Sequence, residues 1–192
     1  MQSNLKQATL FFAAFFSLYT EAQQVLPLTK LNVSTSIVLP LYNNKPFSVY
    51  VTSTGLQLQL GANLYKGDVL LTATTFTNKN PVLSEYQSLL FTVGYLFNIP
   101  IRKNVWLKPC AAFGANYMIF EQNTNNINNL RESELIYQLG LALQIKLYKT
   151  LHLQSGSFYI GTQTFHKQHQ LFFQSGLIYY FNTPKAFQHF IN

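Results

Sequence analysis

The sequence predicts an all-β chain: an antiparallel, up-and-down transmembrane β-barrel of about eight strands. Three observations carry that prediction. The first is alternation. Leu135, Tyr137, Leu139, Leu141, Leu143, Ile145 and Leu147 occupy every second position of one segment, with Ile136, Gln138, Gly140, Ala142, Gln144 and Lys146 between them. Such a run has one greasy face and one mostly polar or small face, and it is long enough for a bilayer, which takes about 9 to 11 tilted strand residues. The pattern recurs where Leu56, Leu58, Leu60, Ala62 and Leu64 alternate with Gln57, Gln59, Gly61 and Asn63. It recurs again where Leu89, Phe91, Val93, Tyr95 and Phe97 alternate with Leu90, Thr92, Gly94 and Leu96.

The second observation is the phase of the glycines. If the apolar parity of each strand faces lipid, Gly61, Gly94, Gly114, Gly140, Gly156 and Gly176 all fall on the inward parity. Glycine weakens a strand interior, so a consistent phase calls for a crowded or sharply curved inner face, which a narrow barrel provides. The third is composition. The chain has 192 residues, 48% hydrophobic and 16% aromatic but only 10% charged, against the quarter usual in soluble domains. Beyond the N-terminus no run of about 18 apolar residues occurs, which excludes a helical membrane protein.

Taken in order, the chain opens on a secretory signal. Lys6 gives the positive start, Ala8 to Tyr19 the apolar core, and Thr20 and Ala22 the small residues before a cleavage at Gln23. The division is 1–22 signal peptide, 23–181 barrel and 182–192 C-terminal tail. Strands are predicted at 30–39, 47–64, 69–77, 86–99, 105–120, 133–147, 151–164 and 169–181. Short connections at Tyr65–Asp68, Pro100–Asn104 and Tyr148–Thr150 alternate with less regular ones at Pro40–Pro46, from Asn78 onward, and through the Asn-rich stretch Glu121–Glu132. Outer-membrane barrels have short periplasmic turns and longer outside loops, so the chain is placed in the outer membrane of a Gram-negative bacterium with its short turns in the periplasm. Within 47–64 the apolar parity switches near Ser53-Thr54-Gly55. A bulge would do this in one strand and a turn would make two.

The last strand carries the most specific motif. Gln174, Gly176, Tyr179 and Phe181 fit a polar-x-Gly-x-x-aromatic-x-aromatic pattern. It resembles the β-signal by which the barrel-assembly machinery recognises its clients, an exposed edge strand with outward aromatics at the interface. Tyr95 and Phe97 would join Tyr179 and Phe181 in the inner aromatic girdle, and Tyr117 and Tyr137 would serve the outer one.

Beyond these generic features, Leu26-Pro27-Leu28-Thr29-Lys30, Gly94-Tyr95-Leu96-Phe97 after Glu85-Tyr86, Phe113-Gly114-Ala115-Asn116-Tyr117 and the terminal Gln174-Ser175-Gly176-Leu177 are similar in order and spacing to the TraO family of Bacteroidota conjugative transposons. The resemblance implies an outer-membrane component of an apparatus that transfers mobile DNA, in contact with other transfer proteins.

Removing the signal takes away Lys6 and Glu21 together, so the formal charge of +7 persists. Lys66, Arg102, Lys103 and Lys149 fall in predicted turns, and Lys45, Lys79, Arg131 and Lys167 in loops or strand ends. Charges at both rims suit phosphate-bearing headgroups of outer-membrane lipid. No basic cluster with interleaved aromatics is visible in the sequence, so direct nucleic-acid binding is not expected. Nor is catalysis. His166 and His169 have metal-like spacing but lack a third ligand nearby, and Ser157 or Ser175 does not match them in depth. No catalytic residue, metal or cofactor is assigned. Cys110 reads as a small packed residue. The interior of eight strands is just wide enough for side chains to fill. Gln57, Gln59, Trp106, Lys108, Gln138, Gln144, Lys146, His152, Gln154 and Gln174 point inward, predicting a hydrogen-bonded plug in which amides satisfy one another and Lys108 or Lys146 pairs with Glu134. Other readings are a generic small barrel (OmpA-like or porin-like), a lipid-modifying barrel enzyme, and a soluble lipocalin-like binder with its apolar face inside.

Overall fold

The computed structural model describes residues 30–43, 51–79, 85–120, 131–162 and 169–184. Its strands are β1 (Lys30–Asn43), β2 (Val51–Thr52), β3 (Gly55–Leu64), β4 (Gly67–Lys79), β5 (Tyr86–Phe97), β6 (Ile99–Arg102), β7 (Val105–Phe120), β8 (Arg131–Lys146), β9 (Leu151–Thr162) and β10 (His169–Asn182). The eight long strands pair antiparallel with their neighbours, and β1 pairs with both β3 and β10, which closes the sheet on itself. Closure removes every long edge, as a hydrocarbon environment requires. The ends of the wall at Lys30 and Asn182 face each other in the β1–β10 ladder. They share one end of the barrel with the short turns.

Two of those turns have two residues. Tyr65-Lys66 joins Leu64 to Gly67, and Lys103-Asn104 joins Arg102 to Val105. Tyr65 and Asn104 take positive φ, 56° and 73°, a conformation that asparagine tolerates better than tyrosine. The predicted turn at Pro100–Asn104 is shorter than expected, because Ile99–Arg102 pairs with β7 as a small hairpin. β1 likewise runs through the predicted loop start at Pro40 to Asn43, with a register shift between Pro40 and Tyr42. The Asn-rich stretch through residue 130, the predicted signal and most of the predicted tail lie outside the described residues.

The parity switch is a bulge. Thr52 opposes Asn78 and Leu56 opposes Thr75, so four steps on one strand match three on its partner. Ser53 N donates to the Thr77 carbonyl at 2.8 Å, and Thr77 N donates to Ser53 Oγ at 3.0 Å, the hydroxyl standing in for a displaced carbonyl. Val51 on one side of the bulge and Leu56 on the other can therefore both face outward, while Thr52 and Gln57 are buried.

The facing predicted for the other strands holds throughout. Leu56, Leu58, Leu60, Leu71, Phe91, Phe113, Leu139 and Leu141 stand exposed on the outer wall. The six glycines occupy the inward parity. Gly176 shows why: a Cβ there would collide with Ser36 Oγ and the Thr35 carbonyl across the β1–β10 ladder. The inner face is small where the wall curves tightly.

The lumen is filled in two storeys. Away from the short turns, Val38, Phe76, Leu90, Ile136, Phe158, Ile160 and Phe172 form one apolar cluster. Phe76 on β4 stacks on Phe172 of β10, with centroids 4.8 Å apart, although β3 and β1 separate those strands in the wall. Phe172 also stacks on Phe158 at 5.4 Å. This storey departs from the expected all-polar plug. Towards the middle, amides bond mostly to hydroxyls rather than to each other: Gln57 Nε2 donates to Thr74 Oγ1, Ser34 Oγ donates to Gln59 Oε1, and Gln59 Nε2 donates to Thr72 Oγ1. Cys110 sits inward beside Gly140, its opposite number on β8.

Candidate functional site

The second storey lies at the short-turn end. Asp68 follows the first turn on β4, Lys108 follows the hairpin on β7, and both side chains are 2% exposed. Lys108 Nζ lies 2.6 Å from Asp68 Oδ2 and donates to Tyr180 Oη of β10 at 3.1 Å. Asn63 Nδ2 donates to Asp68 Oδ1 at 3.2 Å. The Tyr180 hydroxyl has Asp68 Oδ2 at 3.4 Å and Gln144 Oε1 at 3.3 Å as acceptors, and Gln144 Nε2 donates to His152 Nδ1 at 2.6 Å. An Nδ1 that accepts leaves the proton on Nε2, a neutral imidazole. Side chains from β3, β4, β7, β8, β9 and β10 thus join in one chain of hydrogen bonds across the lumen. Such satisfaction is what makes two buried charges tolerable.

The partner of Lys108 is not the one predicted. Glu134 stands opposite Asn116, whereas Lys108 stands opposite Ala142, far nearer the other end of β8. At about 3.3 Å per residue along a strand the separation is too great for an ion pair. Lys146, at the mouth, is likewise at the opposite end of β8 from Glu134.

Below this network the barrel opens into a bowl of about 580 Å³. Its wall includes Trp106, His152 and Tyr180, with rings 5.6 Å and 4.7 Å apart in succession, and three lysines, Lys30, Lys146 and Lys149. Lys66, Arg102 and Lys103 lie on the same rim. Asp68 is the single acidic residue described at this end. At the other end Lys79 and Arg131 are mixed with Glu85, Glu132 and Glu134, and Lys79 meets Glu85 at 4.0 Å on the surface, a contact worth little. Among the described residues, most cationic side chains therefore lie at the short-turn rim, and those at the far rim are mixed with carboxylates. The turn cations Lys66, Arg102, Lys103 and Lys149 were visible in the sequence, and the register adds Lys30 and Lys146 to the same end.

Aromatic residues mark the interfaces. At the short-turn end Tyr95 packs on Phe97 and Tyr179 on Phe181, with centroids 4.8 and 6.4 Å apart. Towards the far end Tyr117 is exposed beside Phe91, and Tyr137 packs near Tyr159. A Cβ on Gly161 would strike the Tyr137 ring, so the glycine seats that tyrosine on the outer face. Of the motif on β10, Gln174 and Gly176 face the lumen and Tyr179 and Phe181 face out at the girdle. Ser175 pairs with Ser155 at 2.8 Å rather than with a histidine, and Ser157 is on the outward parity. His169 stacks on Tyr159 and contacts its hydroxyl. His166 is outside the described residues, among which no cluster of metal ligands occurs.

No protein-family profile matches the chain, and no curated protein sequence is significantly similar to it. Solved structures are. Neisserial surface protein A (NspA) superposes with a TM-score of 0.61 over 78% of this chain and 95% of that one, at 8% identity. This chain has the fold of the outer-membrane β-barrels. A major outer membrane protein from Thermus thermophilus superposes with a TM-score of 0.51 over 80% and 99% of the two chains, at 13% identity. At such identities what is shared is the fold.

Proposed function

We propose that this barrel is an outer-membrane component of a conjugative DNA-transfer apparatus, acting through protein contacts on its periplasmic side rather than through catalysis or transport. The observation that carries this reading is the contrast between a lumen filled by the Phe76–Phe172 stack and the Lys108–Asp68 pair, and a periplasmic rim rich in cations. A filled lumen offers neither DNA nor solute a path, so work falls to surfaces. A rim of one sign steers and orients a complementary partner. The resemblance of Gly94-Tyr95-Leu96-Phe97, Phe113–Tyr117 and Gln174–Leu177 to TraO proteins supports another transfer protein as that partner. The β-signal residues Gln174, Gly176, Tyr179 and Phe181 imply passage through the barrel-assembly machinery. A small structural or adhesive barrel suits the fold equally well.

Deleting the gene in a donor should lower conjugative transfer sharply while leaving membrane permeability nearly unchanged. Arg102→Glu with Lys103→Glu, which reverses charge without touching the lipid face, should give an intermediate loss. Undiminished transfer in the deletion strain would leave the structural or adhesive reading in its place.

A further inference from the structure

We propose that the bowl at the periplasmic mouth binds a phosphate group, with Lys30, Lys146 and Lys149 as its cationic ligands and the Trp106, His152 and Tyr180 rings as its wall. Its volume of about 580 Å³ lies in the range of small-molecule sites, roughly 300 to 1,000 Å³. The three lysines line one concavity and make no salt bridge within the described residues, Lys149 Nζ lying 6.0 Å from the Tyr148 ring centroid. Lys108 beneath them is already paired, and Asp68 is committed to Lys108 and Asn63. No acidic side chain described in the bowl therefore offsets the mutual repulsion of the rim lysines. An anion would relieve it. Lysine binds phosphate as a point charge, without the planar fork that favours carboxylates at arginine. The level of the bowl selects the same chemistry. Tyr95, Phe97, Tyr179 and Phe181 set the membrane interface at this end of the barrel, so the mouth opens among phosphodiester headgroups. The phosphate can come from an inner-leaflet phospholipid or from a free phosphate ester of the periplasm. The proposal is independent of the role in DNA transfer.

Trp106 is the single tryptophan of the chain and stands in the wall of the bowl, so its fluorescence reports occupancy. The full chain, refolded in a maltoside detergent, would be titrated with glycerol phosphate, with short-chain phosphatidylglycerol, and with sodium chloride at matched ionic strength. Phosphorus NMR line broadening of the same two probes gives a second readout. A saturable response to a phosphate probe and not to chloride is expected. Lys146→Gln with Lys149→Gln should weaken it about tenfold, while Lys66→Gln with Lys103→Gln, on the rim but outside the bowl, should change it by no more than about twofold. Saturation by phosphatidylglycerol alone assigns the lipid headgroup, and saturation by glycerol phosphate assigns the soluble ester. Heat-modifiable gel migration checks that each variant folds, and Lys30→Gln serves as an additional variant. The proposal is overturned if neither probe saturates in both readouts, or if the two double variants weaken binding equally, which would mean diffuse charge rather than a site.

Discussion

The buried pair of Lys108 and Asp68 makes a quantitative demand on the barrel's stability. Both side chains are 2% exposed and their charged atoms are 2.6 Å apart. Removing one partner of such a pair strands the other charge, at a cost of about 3 to 5 kcal/mol, whereas removing both can be nearly neutral. Lys108→Met keeps the stem volume and deletes the charge. Asp68 would retain Asn63 Nδ2 and the Tyr180 hydroxyl, which places the loss near the lower end, about 3 kcal/mol. Asp68→Asn should cost at least as much, because Lys108 would keep only neutral acceptors. The double variant Asp68→Asn/Lys108→Met should cost about 2 kcal/mol or less, so the coupling in the cycle is about 4 kcal/mol or more. Reversible guanidinium unfolding in vesicles, followed by far-ultraviolet circular dichroism, measures all four corners. A double variant that loses the sum of the two single losses would refute the claim that the pair acts as a unit.

Three further outcomes test the facing, the assembly motif and the plug. Leu141→Lys, on the lipid face near mid-wall, should cost about 2 to 4 kcal/mol in the same unfolding assay, and Leu147→Lys at the rim about 0 to 1, so equal costs would contradict the assigned depths. Phe181→Ala or Gly176→Asp should reduce folded protein in the outer membrane, read by heat-modifiable migration, more than changes at Phe187 or Phe190 in the tail; normal abundance of the Phe181 variant would remove the β-signal assignment. Phe172→Ala, at a fully buried position, should cost about 3 to 5 kcal/mol, and planar-bilayer recordings should still find no ion conductance.

Much of the wall was legible because a barrel writes its two environments into alternate residues. The Leu135–Leu147 run could be read from one strand, and the phase of each of the six glycines from the strand that carries it. The contents of the lumen were harder. Phe76, Leu90, Ile136, Phe158, Ile160 and Phe172 break the polar phase, and within any single strand each looks like an imperfection, as in Leu171-Phe172-Phe173. They become a cluster only when the register brings them from separate strands to one level. The Lys108–Asp68 pair, 40 residues apart in sequence, posed the same difficulty. Counting from the turns would have found it, since Asp68 and Lys108 each lie a few residues beyond a short turn, whereas Glu134 opens β8 at the far end. The parity switch at Ser53 was visible; which device produced it depended on whether β4 continued opposite both halves, a tertiary fact.

The two-storey lumen has a consequence for water. In the polar storey any gap opened by mutation is ringed by Asn63, Gln144, His152 and Tyr180, groups that can hold a hydrated column in place. In the apolar storey a gap of the same size is ringed by hydrocarbon and aromatic carbon, and a small cavity of that kind stays dry. Dewetting of such a constriction blocks ions even where its radius would admit them. The Phe76–Phe158–Phe172 layer is therefore a seal by surface tension as well as by bulk, and converting this barrel to a pore would take polar substitution on several strands at once, not the trimming of one side chain.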